Sequence, residues 1–376
     1  MKNINILHIL FVDNEKGGGV RNVVPKYLKY ESQIANVALL NCNDSEFKDE
    51  AEKYKVYKLN QIKDRKIKNL PRPYNSPDLV VFHAIYYPQY LRLYKECKKN
   101  DIPYIIVPHG SLTKKAQRQK WMKKIPANIL LFNRYINNAE AIQFLIEGER
   151  KVSRKYKNYI IAGNGIDISE KKKEYKDEIK EFKIIYVGRY DTKTKGIDLM
   201  IKAMQEIRDF AINKNITLTL YGTDYRGRKQ QIEKIVRDNK LEQIVKICGP
   251  IWDDEKIEKI CDSDLFIQTS RTEGQPLGLM EAISLGIPCL VTKETNYGEI
   301  IAKENMGWCA NTNSKDIAQK ILEAYNNRKK FEEMSKKEIM YSTNNFNWNK
   351  IANETIESYE KIIKEYRRKQ NEPKRY

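Results

Sequence analysis

The feature that most limits how this chain can fold is a rhythm. Short, uninterrupted runs of Val, Ile, Leu and Phe return along its length, with helix-like stretches between them. In the first half the runs are Ile4–Val12, Ile34–Cys42, Lys55–Leu59, Asp78–Ala84, Tyr104–Pro108, Ala141–Leu145 and Tyr159–Ala162. In the second half they are Phe182–Gly188, Ile216–Gly222, Val245–Gly249, Leu265–Ser270, Pro288–Thr292 and Gly307–Ala310. Strands covered on both faces lose the polar alternation of a half-exposed sheet, and most of these runs have none. Two successive β-α series predict an α/β chain with two doubly wound parallel sheets.

A length of 376 residues suits two such domains. The boundary falls at Gly163-Asn164-Gly165-Ile166-Asp167-Ile168-Ser169, ahead of the charged stretch 170–181. The expected division is 1–165, 166–345, and a tail 346–376 whose Trp348, Ile351, Ile356, Tyr359, Ile362 and Ile363 recur at helical spacing and predict a helix packing back across the domains. Ligands of such sheets sit beyond the carboxyl ends of the strands, so two sheets facing each other would share one deep cleft.

Composition narrows the class. With 41% apolar residues and no apolar run near the roughly 20 residues of a membrane span, the chain reads as soluble and globular. The opening apolar run reads as a first strand and not as a signal peptide. Six cysteines without a CxxC pair suggest a reduced, cytoplasmic setting and no zinc site. The net charge of +19 is localised: between 114 and 157 twelve Lys or Arg stand against three Glu. Nucleic acid would want aromatics interleaved with the basic residues, which this segment scarcely offers. In Lys114–Phe132, Trp121, Ile125 and Ile129 share one helical face beside a lysine-rich one, a pattern suited to the anionic inner face of a cell membrane. A solvated face with Trp121 packed on the domain is the alternative.

The chemistry-bearing motifs follow strands. In Ser270-Arg271-Thr272-Glu273-Gly274-Gln275-Pro276-Leu277-Gly278-Leu279-Met280-Glu281 a strand gives way to a helix opening at Leu277. Free amides at such a helix start hold phosphate, and the flanking carboxylates Glu273 and Glu281 suit hydroxyl groups. A nucleotide sugar has both. Tyr186-Val187-Gly188-Arg189 and Lys195-Gly196 place an Arg fork and a Lys point charge after another strand, as a diphosphate needs. Gly17-Gly18-Gly19 follows the first strand and lets the backbone approach a ligand. It is not GxGxxG, which argues against NAD. Of the three histidines, His8 reads as core and His83 as structural. His109, in Pro108-His109-Gly110-Ser111, reads equally as a hydroxyl contact or as a turn. Asp262-Ser263-Asp264 precedes a strand, at the end away from ligands, and reads as a cap; no metal is called for.

With Asn164-Gly165-Ile166-Asp167, Cys248-Gly249-Pro250-Ile251 and Gly286-Ile287-Pro288 added, these motifs resemble the retaining GT-B glycosyltransferases of group 1, most sharply over 163–299. The resemblance implies two Rossmann-like domains, the first binding acceptor and the second donor. Arg189, Lys195, Glu273 and His109 would be the catalytic set. Donor contacts would come from Gly18, Gly19, Gly188, Gly249, Ile251, Gly274, Gln275, Pro276, Leu277, Gly278 and Glu281, with Glu273 on the sugar, Glu281 on the ribose and 249–251 on the base. Many members carry an aromatic after Glu-Gly; Gln275-Pro276 stand here instead. The implied activity moves a hexose, from a UDP-sugar for preference and with no cofactor, to a polysaccharide or lipid-linked acceptor of the envelope or capsule. A non-catalytic partner subunit and an epimerase or phosphorylase of the same fold are the rivals.

Overall fold

The computed structural model describes residues 3–12, 19–44, 53–118, 122, 126–175 and 180–372. Contacts divide the chain into two compact units, one of 1–165 with 348–376 and the other Ile166–Asn347.

The first unit is built on a seven-stranded sheet ordered β3-β2-β1-β4-β5-β6-β7. Its strands are β1 (Asn5–Leu10), β2 (Asn36–Asn41), β3 (Lys55–Lys58), β4 (Leu79–His83), β5 (Tyr104–Val107), β6 (Ala141–Phe144) and β7 (Tyr159–Ile161). The second holds a six-stranded sheet ordered β10-β9-β8-β11-β12-β13. Here the strands are β8 (Phe182–Val187), β9 (Ile216–Tyr221), β10 (Val245–Cys248), β11 (Leu265–Gln268), β12 (Cys289–Thr292) and β13 (Gly307–Ala310). Every strand pair is parallel. Each order reverses beside the unit's first strand, between β1 and β4 and between β8 and β11. Helices diverge to opposite faces at such a point and leave a crevice at the carboxyl ends.

Burial explains the unbroken apolar runs: all residues of β4, β5, β6, β11 and β12 are buried. Apolar side chains form separate clusters on the two faces of the first sheet. The helix Trp348–Asn371 packs in this unit, its Ile356, Tyr359 and Ile363 lying in the cluster that includes Ile6, Leu79 and Val81. Trp348 stacks on Tyr30 with ring centroids 5.6 Å apart.

Candidate active site at the second switch point

The site starts where β8 ends. Asp191 caps the short helix Thr192–Lys195, its Oδ1 accepting from the Lys193 and Thr194 amides at 3.1 and 3.3 Å. Gly196 then adopts a left-handed φ of 65° and the next helix, Ile197–Glu206, begins. A Cβ at Gly196 would run into the Thr269 carbonyl oxygen, so this turn lies hard against the end of β11.

The loop after β11 is bonded to that turn several times. Thr269 Oγ1 donates to the Gly196 carbonyl at 2.8 Å, and the Arg271 amide donates to the Thr194 carbonyl at 2.7 Å. The Arg271 guanidinium grips both Asp198 oxygens at 2.7 Å, the bidentate geometry in which Arg pairs are strongest. Two loops far apart in sequence thereby become one rigid frame.

That frame sets Glu273 against Lys195, with Nζ 2.6 Å from Oε1. The same oxygen accepts from Ser270 Oγ at 2.6 Å and from Gln268 Nε2 at 3.2 Å. Asn296, at a φ of 66°, donates through Nδ2 to the Glu273 carbonyl at 2.6 Å and fixes the backbone as well. The helix Leu277–Leu285 follows, with Pro276 as an N-cap that makes no side-chain cap bond. Its first N–H groups have no intrahelical partner. Gly278 lets this helix start close to the end of β8; a Cβ there would stand 2.9 Å from the Val187 carbonyl oxygen.

Arg189 lies with its guanidinium carbon 4.3 Å from the centroid of the Tyr225 ring and Nη2 3.5 Å from Asp191. Its buried Nε has no hydrogen-bond partner among the described residues, nor has that of Arg228, whose Nη1 donates to Thr192 Oγ1 at 2.5 Å. The buried Tyr186 phenol reports both expected groups. Burial pushes its pKa well up, Glu273 adds to this, and Arg189 opposes it.

The structure gives the expected site residues partners within the protein. Lys195 is ion-paired with Glu273. Glu281 is ion-paired with Lys256 at 2.7 Å. Gln275, where an aromatic was the usual choice, donates to the Tyr297 hydroxyl at 2.8 Å. Ile251 turns its side chain into the protein, and the neighbouring Trp252 is exposed. Gly249 contributes a carbonyl to the Gly222 amide at 3.2 Å, and Gly274 one to Asn296 at 3.3 Å. At Gly188 a Cβ would meet the Tyr186 hydroxyl at 2.6 Å. Asp264 bonds the Lys183 amide at 2.9 Å and Lys173 Nζ at 3.2 Å, a structural role at the start of β11.

At the first unit's switch point, His109 follows β5 with a φ of 48° and lies beside His83 at the end of β4. Burial lowers its pKa to about 4. Glu149 pins the turn beneath it, accepting from the Gly110 amide at 2.7 Å and from the Leu145 amide at 2.9 Å. Gly19 opens the helix Gly19–Glu31 with empty space where a Cβ would stand. Gly17 and Gly18 lie outside the described residues, as do Trp121 and Ile125. Met122, Ile129, Leu130 and Leu131 are exposed, Leu130 to 77%.

Sequence reasoning passed over Tyr225, Arg228 and Asn296, and gave no site role to Asp191, Asp198, Arg271 or Glu149. Asp191 carried one usable signal, an Asp two residues before Lys193 at a helix start, where Asp is a favoured cap.

Comparison with known proteins adds to the geometry. Residues 167–341 match the family model of glycosyl transferases group 1. That match lies wholly within the second unit, Ile166–Asn347. A putative colanic acid biosynthesis glycosyltransferase of Escherichia coli is 28% identical over 145 residues, 37% of this chain. The match spans only about a third of that relative, 34% of its length. Among solved structures, sucrose-phosphate synthase from Thermosynechococcus elongatus superimposes with a TM-score of 0.72 at 17% identity, over 96% of this chain and 99% of that one. The Anabaena protein HepE in complex with UDP gives 0.72 at 17% identity, over 95% and 100%. The fold is GT-B.

Proposed function

We propose that the chain is a retaining glycosyltransferase that moves a hexose from a UDP-sugar to a polysaccharide or lipid-linked saccharide acceptor in envelope or capsule synthesis. One observation carries this reading: Lys195 and Glu273, 78 residues apart, meet at 2.6 Å at the carboxyl ends of β8 and β11, beside the uncapped start of Leu277–Leu285. The relative from Escherichia coli, described as acting in colanic acid biosynthesis, supports the envelope assignment, and the UDP complex of HepE supports the donor.

Departure of UDP builds negative charge on the β-phosphate. Arg189, Lys195 and the amides ahead of Leu279 are donors of the kind that bind this charge better as it develops, which lowers the barrier. No metal is needed in this scheme. In it Lys195 exchanges part of its bond to Glu273 for the diphosphate, leaving the carboxylate for donor-sugar hydroxyls. Glu281 and the backbone of 249–251 hold ribose and base. His109 contacts a sugar or acceptor hydroxyl in the first unit.

Thermal stabilisation and slow hydrolysis with UDP-, GDP- and ADP-hexoses test the reading. Stabilisation by UDP-glucose or UDP-galactose is expected, and indifference to all three classes would leave a non-catalytic subunit. The exposed Met122, Ile129, Leu130 and Leu131 beside Lys114, Lys115 and Arg118 support docking of 114–132 on an anionic membrane. Sedimentation with phosphatidylserine vesicles should carry the protein down at low salt and release it at high salt. A protein that stays in the supernatant at low salt has no such surface.

A further inference from the structure

All three histidines of the chain stand in one line. His8 Nδ1 lies 2.9 Å from His83 Nε2, and His83 Nδ1 lies 3.0 Å from His109 Nε2. The rings stack at centroid separations of 5.2 and 5.3 Å. The sheet register makes the staircase. His8 is level with Val81, two residues before His83, and His83 is level with Val107, two residues before His109. Each step crosses to the next strand and climbs one side-chain repeat on the same face.

The inner end of the line stops at Glu31, the last residue of Gly19–Glu31. Its Oε2 is 2.9 Å from His8 Nε2, and both side chains are wholly buried. Among the described residues neither Glu31 oxygen nor His8 Nε2 makes a hydrogen bond of ordinary geometry, so their 2.9 Å approach is an electrostatic contact between two otherwise unpartnered buried groups. Neighbouring hydroxyls are committed: Tyr27 to the Gly163 carbonyl at 2.6 Å, Tyr359 to Gln143 Oε1 at 2.8 Å, and Tyr90 to the His83 carbonyl at 2.9 Å. Glu149, the other buried carboxylate near the line, is engaged by the Gly110 and Leu145 amides.

A neutral imidazole has one N–H and one lone pair, and each N···N contact needs one of each. With all three rings neutral, they all point the same way. Burial holds His83 and His109 neutral at pH 7, pressing the pKa of both down. A carboxylate oxygen 2.9 Å from His8 Nε2 favours the N–H on that nitrogen over the lone pair, because two lone pairs facing each other repel. His8 Nδ1 then accepts from His83 Nε2–H, and His83 Nδ1 accepts from His109 Nε2–H.

We propose that Glu31, His8 and His83 form a tautomer relay that fixes His109 with its proton on Nε2 and presents Nδ1 as a hydrogen-bond acceptor for a hydroxyl ligand at the end of β5. The three inner groups are positioning residues. The ligand half rests on the reading of His109 given under the proposed function, and the relay does not. A fixed acceptor discriminates: it rewards a ligand that brings an O–H and rejects one that brings only a lone pair.

With three histidines, 15N labelling of imidazole nitrogens in the full-length protein gives six resonances. At pH 7.5 the expected spectrum shows all three rings as Nε2–H tautomers, each by roughly tenfold or more over the alternative. Rings protonated on Nδ1, or in free exchange, would overturn the relay. Glu31→Gln can turn either its oxygen or its amide to His8, so the three rings should move together toward the Nδ1–H form. Movement of His8 alone would also overturn it. Should that variant not fold, the wild-type spectrum decides by itself. Saturating UDP-glucose, with and without a saccharide acceptor, then tests the ligand half. A shift of His109 Nδ1 supports hydroxyl contact, and its absence removes that contact while the tautomers still report on the relay.

Discussion

Lys195 and Arg189, both proposed to bind the diphosphate, are held in different ways. The Lys195 and Glu273 side chains are 20% and 10% exposed, so each supports the other in place. Removing one partner of such a pair leaves a poorly solvated charge, at a cost of about 3–5 kcal/mol when burial is complete and less here. Arg189 has only a 3.5 Å contact to Asp191 and a ring beneath it. Arg189→Ala should therefore lower kcat about 10²–10³-fold, the typical loss of one transition-state donor, with little change in Tm. Lys195→Ala should lower both kcat and Tm. Steady-state rates with thermal melts separate the two; an Arg189→Ala enzyme of undiminished kcat would remove Arg189 from the site. At this scale the Lys195–Glu273 pair was approachable from the sequence, because each residue sits in a motif contiguous with a strand end. The sequence hid the Arg271–Asp198 pair, 73 residues apart, and the histidine line, whose members are 75 and 26 apart. Such partners are set by strand register, and composition does not carry register.

Secondary-structure elements were legible as to kind and order, and least so at their carboxyl ends. Strands expected to run to Gly188, Gly222, Gly249 and Ser270 end at Val187, Tyr221, Cys248 and Gln268. The apolar pattern outlasts the strand because the loop residues that follow are themselves packed against neighbouring loops. Gly222, straight after β9, is such a residue, a Cβ there standing 2.0 Å from the Gly188 carbonyl oxygen, and Gly196 lies as close to the Thr269 carbonyl oxygen. Gly196→Ala forces a Cβ at positive φ, costing roughly 1–2 kcal/mol before any clash with the Thr269 carbonyl. The variant should unfold at lower urea and bind UDP more weakly, since Lys195 precedes that residue; unchanged urea and UDP midpoints would refute the packing. The helix Glu147–Val152 offers a pH test. Burial raises Glu149 from 4.5 to about 7. A carboxyl raised on folding stabilises fully below its unfolded value and loses that contribution as pH climbs through the folded one. The stability of the wild type relative to Glu149→Gln should thus fall between pH 4.5 and 7 by up to about 1.4 kcal/mol per pH unit, then level off. Urea midpoints at half-unit pH steps measure it, and a flat difference would mean that Glu149 is ionised throughout.

At the scale of the whole molecule, the chain closes its first unit with its last helix, and the sequence could show the helix without showing where it goes. Trp348–Asn371 has helical spacing that any sheet would accept. What assigns it is complementarity: Tyr27 and Tyr30 take Trp348, and buried Gln143 offers Oε1 to the Tyr359 hydroxyl. Tyr359 is 1% exposed and sits in the cluster beneath β1 and β4. Tyr359→Ala removes a buried ring and strands an amide oxygen, at a cost of about 3–5 kcal/mol by analogy with other large aromatic truncations. The loss belongs to 1–165 with 348–376, because Ile166–Asn347 has an apolar core of its own around Phe182, Ile184 and Leu265. Native-state hydrogen exchange should accordingly show the amides of β1 and β4 exchanging about 10²-fold faster or more in the variant, with those of β8 and β11 unaltered. Equal acceleration in both sheets would mean that the last helix stabilises the molecule as a single cooperative body, and the assignment of that helix to the first unit would lose its energetic meaning.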